Sequence, residues 1–341
     1  MMSHDGYHVS SSRLTLLALT IVLLSSVASA QDAGIDSPHI ALRSSPKISS
    51  YAPAGATLPA LEARPVRVDV NLVLVPVTVV DPMSRPVVDL PQQNFSLMEA
   101  GVPQQIRYFS HEDAPISVAL VLDFSGSMSN KSEFVLQALE QFFQNANPDD
   151  DYYVIAVSDR PTLVADASQS TNTILAHLAA VEPHGMTALY DSIYLGVNKL
   201  RSSRYKRRAM VIVSDGGDNQ SRYSLKEVKA MLAESDVLTY SIGLFDDVPF
   251  LVKPFEERWG QRWLDEVTRV SGGRNIAAND RRQIPKIAAV ISREIRSQYV
   301  IGYSPSDPNK DGKWRKISVK LTDNPAQMHV HFKEGYAAPE Q

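Results

Sequence analysis

The chain has 341 residues, a formal net charge of −4 and no cysteine. The slight acidity excludes bulk attraction to nucleic acid. The missing thiols exclude disulfides, thiolate metal sites and a lipid-modified cysteine anchor. The length leaves room for one large domain and one small one.

Residues 1–30 read as a secretory signal peptide. Arg13 precedes an apolar run from Leu14 to Leu24, and Ala28-Ser29-Ala30 supplies a small-residue cleavage site before Gln31. The run is short for a membrane span, with a retained N-terminal anchor as the alternative. No later segment is long and apolar enough to span a bilayer. The expectation is therefore an exported chain, periplasmic or extracellular, with no membrane span after processing. Residues 31–65 are rich in Ser, Pro and Ala and read as a flexible leader.

Residues 66–110 read as an N-terminal β module. VRVDVNLVLVPVTVVD alternates and then becomes continuously apolar, which fits two strands or one long bent one. VVDLPQQNFSLMEAG carries a further strand, and VPQQIRYFS is read as one more. So small a module cannot hold a core alone and must pack on something else.

From 114 to 297 strands and helices alternate. ISVALVLD opens with five uninterrupted apolar residues, Val118 to Leu122, the signature of a strand buried on both faces. NKSEFVLQALEQFF reads as a helix with an Asn130–Glu133 cap. DDYYVIAVSD and TLVADA are strands, TNTILAHLAAV and TALYDSIYLGVNKL helices, and AMVIVS a strand running into SDGGDN. Leu225 to Glu234 is a helix, Val237 to Leu244 a strand, and Trp263 to Val270 lies within a helix. Asn275 to Ala278 is a short strand and Ile284 to Ile295 a helix. The predicted fold class is α/β, a mostly parallel sheet with helices on both faces.

Residues 298–336 are β again. SQYVIGYSPSDPNKDGKWRKISVKL reads as a hairpin turning near Asn309 to Gly312, and MHVHFKEGY as one more strand. The economical arrangement joins these with the N-terminal strands in a β-sandwich-like module beside the α/β domain.

The chemistry concentrates in DFSGSMSN. Asp123, Ser125 and Ser127 follow one another at two-residue steps beyond the carboxyl end of a buried strand, where open α/β sheets place their ligands. Thr187 begins a helix after a glycine-containing loop, and Asp215 ends another buried strand ahead of two glycines. Two carboxylates and three hydroxyls are hard oxygen donors, suited to one divalent cation, with magnesium first and manganese or calcium as alternatives. Such a set leaves a coordination position open, and an Asp or Glu from a protein partner is a natural last ligand.

These five residues resemble the metal-ion-dependent adhesion site of von Willebrand factor type A domains, whose D-x-S-x-S loop, Thr and Asp bind one divalent cation. The resemblance implies that Ser125 and Ser127 coordinate directly, with Asp123 and Asp215 often acting through water, and that the ion's face is the partner-binding face. GMT at Met186-Thr187 departs mildly from the commoner loop of that family, so Met186 narrows the site or simply packs. Between Val66 and Tyr336 the chain looks like the exported bacterial group called VWFA-related domain proteins, known particularly from acidobacteria. That resemblance implies fold and metal far more than a physiological role; the expectation of a binding module and no enzyme rests on the open metal position and on the missing catalytic patterns.

The remaining polar features have plainer readings. Asp191 serves helix solubility or bonds a neighbouring loop, with metal contact as the alternative, and Asp218 is an acidic surface loop residue that, like Asn219, has the rim of the site as its alternative. Tyr190 packs or lines the rim, and His184 is structural or solvated, with tuning of the metal loop or contact with a ligand as the alternative. His329 and His331 are surface strand residues lacking a third ligand. Phe245, Phe250, Phe255, Trp259 and Trp263 are packing residues, with an exposed recognition patch as the alternative. The basic run RSSRYKRR is a solvated helix end plus the entry to a strand. No H-E-x-x-H, phosphate-loop or Gly-x-Ser-x-Gly pattern occurs. A structural component of the cell envelope is the second expectation, and metal-assisted hydrolysis the third.

Overall fold

A computed structural model describes residues 72–340, apart from 112, 168, 246–258 and 325. The proposed signal peptide, the leader and residues 66–71 of the β module lie outside the described residues, as do Phe250 and Phe255.

The α/β part is a six-stranded sheet. Its strands are β5 (Ser117–Asp123), β6 (Asp151–Val157), β7 (Thr162–Ala165), β8 (Arg208–Ser214), β9 (Leu238–Leu244) and β10 (Asn275–Ala278), in the order β10-β9-β8-β5-β6-β7. All neighbours run parallel except β7, which is antiparallel to β6. β5 lies in the middle, and every one of its residues is buried. Its alternate side chains feed two cores, which is why the apolar run needs no polar interruption. Val118, Leu120 and Leu122 pack with α1 (Ser132–Gln144), α2 (Thr171–Ala179) and α6 (Ile284–Arg296). Ala119 and Val121 pack with α3 (Leu189–Arg201), α4 (Leu225–Glu234) and α5 (Gly260–Ser271).

The helix starts are set locally. Ser224 and Glu227 form a reciprocal capping box at α4, and Ser170 caps α2 through the Thr173 N–H. The expected Asn130–Glu133 cap of α1 is absent. The chain passes through a 3-10 turn at Gly126–Met128 and enters the helix from Lys131 without a side-chain cap. Glu133 instead accepts from Gln137 one turn on.

Two antiparallel four-stranded sheets make up the rest. The first is β13-β1-β11-β4 and the second β14-β12-β2-β3, from β1 (Val73–Val80), β2 (Phe95–Glu99), β3 (Val102–Gln104), β4 (Ile106–Ser110), β11 (Tyr299–Tyr303), β12 (Trp314–Leu321), β13 (His329–Phe332) and β14 (Gly335–Ala337). They share one core, in which Val75, Val77, Val79, Tyr299, Ile301 and Tyr303 meet Phe95, Leu97, Ile317 and Val319. Within it the Tyr303 and Tyr336 hydroxyls donate to the buried Glu99 carboxylate, which also faces Arg315 at 3.5 Å.

Three sequence expectations change here. VPQQIRYFS is two strands, because β3 pairs with β2 while β4 pairs with β11 in the other sheet. MHVHFKEGY likewise splits into β13 and β14, one in each sheet. The β11–β12 hairpin does not form: β11 lies between β1 and β4, and β12 between β2 and β14. The turn near Asn309 to Gly312 crosses from one sheet to the other, guided by Arg315, which donates to the Asp307 and Asn309 carbonyls.

The outer side of the first sheet rests on the α/β part. Thr78 and Tyr240 share a 3.3 Å hydrogen bond, and Arg274 pairs with the buried Glu294 while reaching Ser84. Gly272, at φ +93°, ends α5 with no room for a side chain against Phe332 and Lys333 of the sandwich.

Candidate functional site

β5 and β8 are parallel neighbours, so Asp123 and Asp215 emerge side by side at the same edge of the sheet. Asp123 is fully buried, with each carboxylate oxygen held: Oδ1 accepts the Ser125 N–H at 2.9 Å and Oδ2 the Ser214 hydroxyl at 2.6 Å. Ser127 Oγ lies 3.2 Å from Ser125 Oγ and donates to Asp215 Oδ2 at 2.7 Å. Asp215 Oδ1 accepts the Gly217 N–H. One network thus links Asp123, Ser125, Ser127 and Asp215, and it opens outward at the exposed Gly126 and Ser127.

Thr187 joins through its loop. Gly126 N–H donates to the Gly185 carbonyl at 3.0 Å and His184 N–H to the Phe124 carbonyl at 2.8 Å, stitching residues 184–187 to the DFSGS loop. The Thr187 N–H is held by Asn219 Oδ1, and its carbonyl accepts from the Asn219 and Gln220 N–H groups. The five predicted residues therefore lie in three mutually bonded loops at one sheet edge.

The residues behind these loops were harder to read. Asp159, at the exit of β6, accepts the Met186 N–H at 2.7 Å and presses on Gly185, where φ is +74° and a Cβ would lie 2.6 Å from the carboxylate. Gly260, the first residue of α5, backs onto Asp215: a Cβ there would stand 2.0 Å from the Asp215 carbonyl oxygen. Neither carries a sequence signal beyond its residue type. Ser214 was visible as the neighbour of Asp215, but its bond to Asp123 follows only from the strand register.

Asp218 is more than an acidic surface residue, since it accepts the Tyr190 N–H at the start of α3 and the Ser221 hydroxyl. Burial raises its pKa above the usual carboxylate range. Asp191 bonds the neighbouring loop, accepting from Arg222 and Tyr223. Tyr190 is buried and meets Trp263 edge-on, whereas Met186 is half exposed. His184 is exposed and bonds the Glu182 carbonyl through Nδ1.

The donor set fits a divalent cation. Burial, and next the charge of Asp215, push the Asp123 carboxyl up to about 6. Two carboxylates so placed repel one another, and a cation between them relieves that repulsion. Among the described residues no group of three or more His, Cys, Asp and Glu gathers, so the remaining donors are hydroxyls. Oxygen donors of this kind suit magnesium or calcium better than soft metals.

Residues 118–217 match the family described as von Willebrand factor type A domain. No curated protein matches the chain. Among solved structures, a von Willebrand factor type A protein from Catenulispora acidiphila is 9% identical with a TM-score of 0.45, covering 78% of this chain and 72% of that one. An aerotolerance-related membrane protein from Bacteroides fragilis is 17% identical with a TM-score of 0.44, covering 53% and 98%. Proximal thread matrix protein 1 from the mussel byssus, with a zinc-occupied MIDAS motif, is 16% identical with a TM-score of 0.46, covering 58% and 49%. At these scores no property of those proteins transfers to this chain. Residues 118–217 thus carry the match to a von Willebrand factor type A domain, and they lie within a six-stranded, mostly parallel sheet flanked by helices.

Proposed function

We propose that this chain is an exported, divalent-cation-dependent protein-binding module of the bacterial VWFA-related kind, periplasmic or extracellular, without enzymatic activity. Asp123, Ser125, Ser127, Thr187 and Asp215 would hold one cation, magnesium first, and a partner's Asp or Glu would complete the site. The observation that carries this reading is the pairing of Asp123 and Asp215 at one sheet edge, with two serine hydroxyls in the same network and Ser127 facing outward. The bound ion supplies an electrophile that a carboxylate can reach.

The chain's own residues do the positioning. Ser214 and the Ser125 N–H fix Asp123 so that its carboxylate cannot swing away. Asp159 and Asn219 hold the Thr187 loop in place. Among the described residues no helix is long and apolar enough to cross a membrane.

Affinity capture from the envelope of the source cell tests the reading. A partner should be retained in magnesium and lost both in EDTA and with Asp123→Ala, while the variant keeps its fold by circular dichroism. Retention that ignores both treatments would overturn it.

A further inference from the structure

The metal-facing edge of the parallel sheet is its carboxyl end. At the opposite edge, where β8 and β9 begin at Arg208 and Leu238, the structure has a cleft of about 510 Å³ between the α/β part and the sandwich. One wall is apolar and comes from the first sheet, with Leu74 and Val300. The other carries the end of the basic run, Lys206, Arg207 and Arg208, together with Lys333. Against these four cations the lining holds one carboxylate, Asp236, which lies 3.7 Å from Lys333. Burial lowers the Lys333 pKa below the usual lysine range against the opposing pull of Asp236, and its ammonium donates to the Ser235 carbonyl at 2.9 Å.

Two side-chain donors on this lining are left open. Gln298 is 5% exposed, and its Nε2 has no hydrogen-bond partner. The Tyr240 hydroxyl, which shares a bond with Thr78, lies beside the Gln298 side chain and leaves Nε2 short of a full hydrogen bond. Arg208 bonds the Arg201 carbonyl through Nη2, yet its buried Nε also lacks a partner. A buried donor without a partner is unfavourable, so an acceptor entering the cleft relieves it.

We propose that the cleft binds a small amphipathic acid. Its carboxylate, sulfonate or phosphate head takes the open donors of Arg208 and Gln298, and its apolar body lies along Leu74 and Val300. The enclosed volume falls within the range of roughly 300–1,000 Å³ usual for small-ligand sites. The uneven charge of the lining selects an anion over a neutral lipid or a cation. This site is separate from the metal face and does not depend on the function proposed for it.

Titration of the full chain with 8-anilino-1-naphthalenesulfonate, followed by fluorescence, tests the proposal. Saturable one-to-one binding, displaced by dodecanoate, is expected. Arg208→Gln should weaken it about tenfold, equivalent to about 1.4 kcal/mol. Leu74→Glu, at a half-exposed position, should weaken it similarly and keeps the test readable should Arg208→Gln fail to fold. Absence of saturable binding, or a folded Leu74→Glu protein that binds like wild type, would overturn the proposal. Equal affinity for the uncharged N-phenyl-1-naphthylamine would remove the anion assignment. Displacement by a glutamate-rich peptide but not by dodecanoate would make the occupant a peptide and overturn it as well.

Discussion

Gly260→Ala probes how tightly the Asp215 turn is built. The added Cβ would stand 2.0 Å from the Asp215 carbonyl oxygen and 3.2 Å from the Gly216 Cα. Both are backbone atoms, so no side chain can rotate away, and the turn or the start of α5 has to move by about 1 Å to restore an ordinary contact. Overpacking of this kind costs about 1–3 kcal/mol, and alanine's better helix propensity returns at most about 1 kcal/mol. The net loss, roughly 1–2 kcal/mol, lowers the melting midpoint of a domain this size by about 2–8 °C. Ligand geometry tolerates about 0.5 Å, so a 1 Å displacement of Asp215 should weaken magnesium binding about tenfold or more. Calorimetric melting without metal reads the first effect and magnesium titration the second. An unchanged midpoint with unchanged magnesium affinity would refute the reasoning, because the contact would then not be as close as described.

Magnesium at about a hundred times its dissociation constant should stabilise the chain by roughly 2.7 kcal/mol, read as a rise in melting midpoint that EDTA reverses and Asp123→Ala abolishes. Asp159→Ala should loosen the Gly185–Thr187 loop and weaken magnesium binding several-fold. Asp159→Asn, which keeps an acceptor for the Met186 N–H, should restore part of that loss, and equal affinities for all three proteins would count against the role given to Asp159. Glu294→Ala strands Arg274 at a largely buried position and should cost about 3–5 kcal/mol, measured by denaturant unfolding. His331 is half buried beside Arg274 and His329, and burial first, then the Arg274 charge, lowers its pKa to about 4. Its neutral form is favoured on folding, so between pH 6.5 and 4 the unfolded chain binds the extra proton and stability falls as the pH falls. Asp123, with its raised pKa, pulls the other way in that window. The comparison with His331→Gln isolates the histidine: the stability difference between the two proteins should change by about 1–3 kcal/mol across that range, and a constant difference would exclude the effect.

What the sequence made legible was whatever depends on neighbours along the chain. β5 announced itself because a strand covered by helices on both faces has no position for a polar residue. The same edge of the sheet gathers Asp123 and Asp215 because parallel strands present their carboxyl ends together, so strand identity alone brings these residues together. Pairing in the sandwich was not legible. Asn309 to Gly312 has the composition of a hairpin turn, yet residues 304–313 carry the chain between sheets, and only the inward-facing Tyr303 and the Arg315 contacts reveal it. The change of sheet between β3 and β4 at Gln105 has neither glycine nor proline to mark it. His331 looked like a surface residue because alternation cannot show that a sheet's outer face is covered by another layer. Asp159 bonds Met186, 27 positions away, and Gly260 backs onto Asp215, 45 positions away in sequence, beyond any local pattern.

The interleaving of the two sheets also has a consequence for the order in which the chain acquires structure. β1 is flanked by β11 and β13, and β4 pairs with β11, so strands near the start of the described chain wait for partners about 190 to 255 residues later. Such separations make pairing slow. During synthesis the β2–β3 pair and the whole parallel sheet can close first, while β1 and β4 keep open hydrogen-bonding edges that invite wrong partners. A chain stopped after α6 would hold every candidate metal donor yet leave those edges without β11. The strands that follow α6, which supply no candidate metal donor, thereby close the edges through which the protein that carries the site would otherwise aggregate.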